Sequence, residues 1–428
     1  MDDIEALLAR RNRALGAGVS TFHRRPLHIV RGEGAYLFDA DGRRYVDMYN
    51  NVPCVGHGNP RVAEAMARAQ STLNTHSRYL HEGIVEFAER LTALHGEAIE
   101  SVVFSCSGTE AIEVALRMAR FATGARGLIC TDATYHGNSE LVGGLTDLGH
   151  REAPADVRAI PFPEKYRPIA EGLGEEQLTE AYLERLRQAI ESLKASGQGV
   201  AAFIVCSILA NEGLPDIPAG FMPRAAELVR AAGGLVISDE VQAGYCRTGR
   251  WWGYEVTGFT PDIVVTGKPM GNGLPLSATA ASKALVDNFR RRTRHFNTFA
   301  QSPLQAAVGM AVLDEIEVRG LREHVAGVGA WLTAEMKQRV GRWPSLGDVR
   351  GVGLFIGAEM ITDPQSRTPD PARASDIAER LKDKGFLTAA AGAYNNCVKI
   401  RPPLVYAQAD AEAFLIAFDE AMDEAHHG

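Results

Sequence analysis

No two cysteines in this 428-residue sequence are spaced as C-x-x-C. The six, Cys54, Cys106, Cys130, Cys206, Cys246 and Cys397, are scattered. That excludes a disulfide framework or a zinc ribbon and fits small buried side chains in a reducing compartment. No apolar run approaches the roughly 20 residues of a membrane span, and the charged, amphipathic start MDDIEALLARRNRALG lacks the apolar centre of a signal peptide. The expected location is cytoplasmic. There is no dense Lys/Arg tract and the net charge is −8, so neither nucleic acid nor an anionic membrane is expected as the main partner. The histidines contain no H-E-x-x-H or other metal spacing, and no G-x-S-x-G elbow occurs. Gly267 and Lys268 superficially resemble a P-loop, but Asp262 stands where the first glycine belongs and Pro269 where Ser or Thr belongs.

What is present is an ordinary globular composition, 46% hydrophobic and 23% charged, long enough for one large domain and a smaller one. Between residues 60 and 315 helical patterns alternate with the apolar runs SVVFSC (101–106), GLIC (127–130), VAAFIVC (200–206), GGLVISD (233–239) and DIVVT (262–266). Continuous apolar runs separated by helices imply strands buried on both faces, hence an α/β fold with a mainly parallel sheet flanked by helices. After residue 316 a long charged helix through AWLTAEMKQRV (330–340), the strand-like runs GVGLFIGAEM (351–360) and CVKIRPPLV (397–405), and a Pro-bearing surface loop at 361–374 indicate a smaller α+β domain. AYLFDADGRRYVDMYN reads as a hairpin turning at Asp41 and Gly42, and joins that smaller domain. The expected division is 1–57 with the small domain, 58–316 as the large domain and 317–428 as the rest of the small one.

Open α/β sheets bind ligands beyond the carboxyl ends of their strands. Four such places are chemically loaded. SCSGTEA (105–111) opens a helix, so Ser107, Gly108 and Thr109 offer a phosphate seat, or Ser107 or Thr109 is only a helix cap. Asp239 ends a buried run, where a carboxylate needs a cation or a protonated ring nitrogen, or it merely caps the next turn; Glu240 should point away and form a structural ion pair. TYHGNS (134–139) places Tyr135 and His136 where a ring stacks on a flat ligand, or in a plain surface loop. Lys268, in DIVVTGKPMGNGLP, either snorkels to the surface or is itself the reagent. Phosphate seat, carboxylate, ring and strand-end lysine together describe a pyridoxal 5'-phosphate site.

With SGTEA, YHG, SDEVQAGYCRTG, PDIVVTGKPMGNGLP and NTFAQSPLQAA in this order, the sequence resembles the class III, fold-type I pyridoxal-phosphate aminotransferases over nearly its whole length. The resemblance implies Lys268 as the Schiff-base lysine and proton shuttle, and Asp239 as partner of the pyridine nitrogen. It implies Gln242 on the cofactor's phenolic oxygen, Val241 on one ring face and Tyr135 on the other. Gly108 and Thr109 would hold the phosphate, reached by Thr298 from a neighbouring subunit of a homodimer or larger oligomer. The implied reaction is a ping-pong transfer of an amino group between an amine or amino acid and a keto acid.

Two positions depart from that pattern. Cys206 and Ser207 stand where many members have an acidic residue, and Lys399 stands where many have a substrate-binding arginine, with Arg401 before Pro402. Lys399 and Arg401 are the candidate holders of a substrate carboxylate or phosphate, with solvent-facing charge as the alternative. These departures, with NNVPCVGHGNP (50–60) and LNTHSRYLH (73–81), also resemble the family's phospho-lyases of phosphorylated amino alcohols. An amino-acid racemase and a non-catalytic cofactor-binding protein are the remaining alternatives.

Overall fold

In the computed structural model, which describes residues 3–427, the described residues form three sheets. The largest has seven strands in the order Ser101–Ser105, Ser277–Ala281, Ile263–Thr266, Leu235–Asp239, Val200–Cys206, Gly127–Thr131, Val157–Ile160. All five apolar runs form strands here, almost wholly buried. Alternate residues face opposite cores: Ala202 and Ile204 pack with Ile112, Leu116 and Phe289 on one side, Phe203 and Val205 with Tyr182, Leu186 and Phe221 on the other. The architecture is the expected one, a mostly parallel sheet between helices with smaller sheets beside it.

Two strands of this sheet, Val157–Ile160 and Ser277–Ala281, have no apolar run to announce them. Ser277–Ala281 (SATAA) lies antiparallel to both neighbours. Its small side chains admit the helix Gly108–Thr123, and its hydroxyls bond that segment: Thr279 Oγ1 donates to Ala111 O at 2.7 Å and Ser277 Oγ to Ser107 O at 2.7 Å. Ser101–Ser105 reverses again against it, so it shares the direction of the parallel strands. Their C-terminal ends therefore meet at one edge.

The expected hairpin forms from Tyr36–Asp39 and Arg44–Asp47, with Gly42 at φ +83°, a conformation that suits glycine. Phe386–Leu387 adds a parallel strand to it from far along the chain. The run GVGLFIGAEM is not one strand: Leu346–Val352 turns back at Gly353, φ +57°, into Phe355–Met360. A Cβ at Gly353 would lie 2.5 Å from Arg247 O, so only glycine allows this turn. Cys397–Ile400 and Ala389–Ala391 complete this third sheet. The charged helix spans Leu321–Lys337, stopping short of Val340. The loop after 361 ends at Asp370, which caps helix Pro371–Asp383.

Glu240 is fully buried, but among the described residues it has no ion-pair partner. Its carboxylate accepts from Gly253 N (2.7 Å), Tyr254 N (3.1 Å) and Ser238 Oγ (2.8 Å). The free amides of a helix start take the place of a cation.

Helix Pro303–Val318 crosses helix Glu82–Ala93 at Gly309, where an added Cβ would stand 2.2 Å from Phe87 Cζ. Phe87 is itself stacked on Phe104, centroids 5.2 Å apart, so it cannot retreat freely. Gly309→Ala gains about 1 kcal/mol of helix propensity and incurs about 1–3 kcal/mol of overpacking. Urea unfolding should show a net loss of stability; an unchanged or raised midpoint would contradict the close crossing.

Candidate active site

The strand ends bring Gly108, Thr109, Tyr135, His136, Gly137, Cys206, Asn211, Asp239, Val241, Gln242 and Lys268 around one cavity of about 190 Å³. Each comes from the segment following, or closing, a strand of the common direction. Ser107 is not on the wall: its Oγ accepts from Glu110 N as the helix cap. This leaves the Gly108 and Thr109 amides without an acceptor among the described residues, as the first turn of a helix does. Val241 fits between two glycines; a Cβ on Gly108 or Gly267 would come within 3.3 or 3.4 Å of its Cγ1. At Gly137, φ +147°, a Cβ would be 2.6 Å from Thr109 Oγ1.

Asp239 is 6% exposed. One oxygen accepts from Val241 N at 3.0 Å, and the other from His136 Nδ1 at 2.7 Å. A carboxylate only accepts, so His136 carries a proton on Nδ1, and its Nε2 is hydrogen-bonded with Thr134 Oγ1, 3.0 Å away. His136 is thus Asp239's neighbour in the wall and not a stacking ring. Tyr135 also lines the cavity and remains half-exposed. Each Asp239 oxygen keeps a lone pair for a ring N–H.

Lys268 lines this cavity and also a second one, of about 710 Å³, with Arg401, Tyr49, Asn51, Phe22 and His23. Burial pulls its pKa down, against the opposing field of Asp239 and with the help of Arg401. Arg401 is buried; its Nε donates to Tyr49 O at 2.8 Å, an Nη1 hydrogen bond goes to Gln242 Oε1, and the guanidinium lies 4.8 Å over the Tyr49 ring.

Lys399 is not solvent-facing and does not line either of these two cavities. It is 3% exposed and donates to Ala210 O at 2.6 Å, because its strand, Cys397–Ile400, points it at the 207–214 loop. Arg401 is likewise not a surface charge. Thr298 lies exposed in the 294–301 loop, away from the cavity of its own chain. Asn211 was not foreseen, although it lies five residues past Cys206, within reach of the strand-end rule that found the others. It donates to Tyr135 O and accepts from Gln242 Nε2, both at 3.0 Å.

The residues present fit pyridoxal phosphate: two free amides at a helix start for the phosphate, a buried carboxylate for the ring nitrogen, and an amine on the same cavity. Fold and cavity together define a pyridoxal-phosphate-dependent enzyme of fold type I. The sequence model described as Aminotransferase class-III matches residues 19–422, and the chain belongs to that family. It is 35% identical to "Alanine--glyoxylate aminotransferase 2-like" of Drosophila melanogaster over 96% of this chain and 86% of that protein. Among solved structures, a phospholyase from Arthrobacter in complex with phosphoethanolamine superposes with a TM-score of 0.94 at 40% identity, covering 97% of this chain and 99% of the other. A PLP-bound amine transaminase from an uncultivated Pseudomonas species gives 0.87 at 29%, covering 96% and 97%.

Lys399 makes a pH signature. Burial, reinforced by Arg401, lowers its pKa from the ordinary 10.5 to about 7. Between those values the unfolded chain holds more protons than the folded one, so this residue makes stability rise with pH over that window. Replacing it by methionine removes the term. The melting temperature of the unsubstituted protein should gain on that of Lys399→Met from pH 7 to 10; parallel curves would show the amine to be unperturbed.

Proposed function

We propose that this chain moves an amino group between a small amine or amino acid and a keto acid, with Lys268 carrying the proton. The carrying observation is that Lys268 borders both the 190 Å³ cavity with Asp239 and the 710 Å³ cavity with Arg401. Bound pyridoxal phosphate supplies an aldehyde and a ring that accepts electrons from a broken Cα–H bond. Asp239, oriented by His136 and the Val241 amide, keeps the ring nitrogen protonated. Gly108 and Thr109 hold the phosphate. Lys268 is the acid and base at Cα, and the burial that lowers its pKa favours the free amine that this role needs. Arg401 meets the anionic end of the substrate in the larger cavity.

A homodimer fits this reading. Leu80 is fully exposed, Phe299 77% and Tyr79 68% exposed, in the two segments that flank Thr298 or lie against Phe296 through His76. Such side chains suit a subunit interface, across which Thr298 would reach the partner's phosphate. The large unit 58–316 and the small one built from both termini, in a cytoplasmic enzyme with reduced cysteines, complete the proposal.

A second reading has a specific observation behind it: the 40% identity and TM-score of 0.94 to the phospholyase. In that reaction the same proton is withdrawn, but a phosphate on the neighbouring carbon leaves. Arg401 suits a phosphate as well as a carboxylate.

The deciding assay mixes holoenzyme with amines, amino acids and phosphorylated amino alcohols, without keto acid. Stoichiometric aminated cofactor with no phosphate release is expected; catalytic release of phosphate and ammonia would overturn transamination in favour of the lyase. Lys268→Ala should lose the visible absorbance of the bound cofactor, and an unchanged spectrum would refute its role. Arg401→Ala should raise KM for anionic substrates by about one to two powers of ten, the value of a charge-assisted hydrogen bond; unchanged KM would place the anion elsewhere.

A further inference from the structure

The reaction just described makes no use of Lys399, yet its amine is buried at a cost. Among the described residues no carboxylate lies within ion-pair distance of Nζ; the amine has the Ala210 carbonyl at 2.6 Å and the Phe355 ring at 5.2 Å. An uncompensated buried charge is destabilising, and an apolar side chain of the same length would avoid that. What the amine holds is the loop after the Val200–Cys206 strand. Ala210 precedes Asn211, whose side chain is used at both ends: Nδ2 donates to Tyr135 O and Oδ1 accepts from Gln242 Nε2. The other end of the Gln242 amide, Oε1, accepts from Arg401.

These partners leave Gln242 one orientation. Arg401 has only donors, so it must meet Oε1. Asn211 spends its own N–H on a carbonyl, so it presents an acceptor to Nε2. One hydrogen of Nε2 is left over, on a residue that lines the cofactor cavity. Were Asn211 displaced or turned over, the constraint from that side would be gone.

We propose that Lys399 is a positioning residue: by holding the Ala210–Asn211 backbone it fixes Gln242 with an N–H offered to the ring of the bound cofactor. This rests on the reading that the cavity holds pyridoxal phosphate. Lys399 acts through Asn211 and Gln242 and touches neither cofactor nor substrate.

The test titrates apo protein with pyridoxal 5'-phosphate and records the dissociation constant and the visible absorbance maximum. Lys399→Met and Asn211→Leu should each weaken binding about tenfold, the loss of roughly one hydrogen bond, and move the maximum in the same direction as Gln242→Leu. Because all three break one chain, the double variant Lys399→Met/Asn211→Leu should be no worse than the worse single one. Wild-type affinity and an unmoved band in Lys399→Met, or additive losses in the double variant, would overturn the proposal. If Lys399→Met does not fold, Asn211→Leu decides: a band displaced as in Gln242→Leu supports the chain, and an unmoved band overturns it. An unsubstituted protein that acquires no visible band would overturn the cofactor reading itself, and the proposal with it.

Discussion

Parallel strands deliver their C-terminal ends to one edge, where the backbone leaves the ladder and its polar groups need other partners. That constraint organises this molecule. Helix Gly108–Thr123 starts there with two free amides, Asp239 ends its strand there, and Lys268 follows the next strand by two residues. The reversed strand Ser277–Ala281 serves the same end, since its hydroxyls bond the carbonyls of Ser107 and Ala111 and seat the helix.

Buried charge is handled at this edge with backbone dipoles more than with ion pairs. Asp239 accepts from an amide and an imidazole, Glu240 from two amides at a helix start, and Arg401 and Lys399 donate to carbonyls. Arg247 does the same, bonding Leu354 O and Pro402 O. Fixed dipoles hold a charge without neutralising it, which keeps it available to a ligand. Among the described residues no carbonyl accepts a hydrogen bond from Lys268, which faces two cavities.

The wall opposite the large sheet comes from both ends of the chain. Tyr49 follows the N-terminal hairpin, and Arg401 follows the strand Cys397–Ile400. They meet with the guanidinium 4.8 Å over the ring, and Phe22 packs edge-on to Tyr49 at 5.0 Å. Phe386–Leu387 pairing with Arg44–Asp47 fixes the two terminal regions together. The larger cavity is therefore an assembly of distant segments, and its shape depends on their packing.

The sequence by itself determined the parallel-sheet region and the residues at its strand ends. Long β-branched and apolar runs announce buried strands, and a glycine, acid or lysine just past each run stands out against them. Gly108, Thr109, Tyr135, His136, Asp239, Val241, Gln242 and Lys268 were all named on that ground or by family resemblance, and one cavity gathers them. The SATAA strand was illegible because small residues carry no hydrophobic pattern. Asn211, the amide partners of Glu240 and the Asp239 contact of His136 were decided by tertiary structure, since a hydrogen bond between groups 31 or 103 residues apart leaves no local trace. Lys399 and Arg401 show the limit most plainly. Two residues apart on one extended segment and both basic, they differ in surroundings because packing turns one toward a loop carbonyl and the other toward the cavity of Lys268.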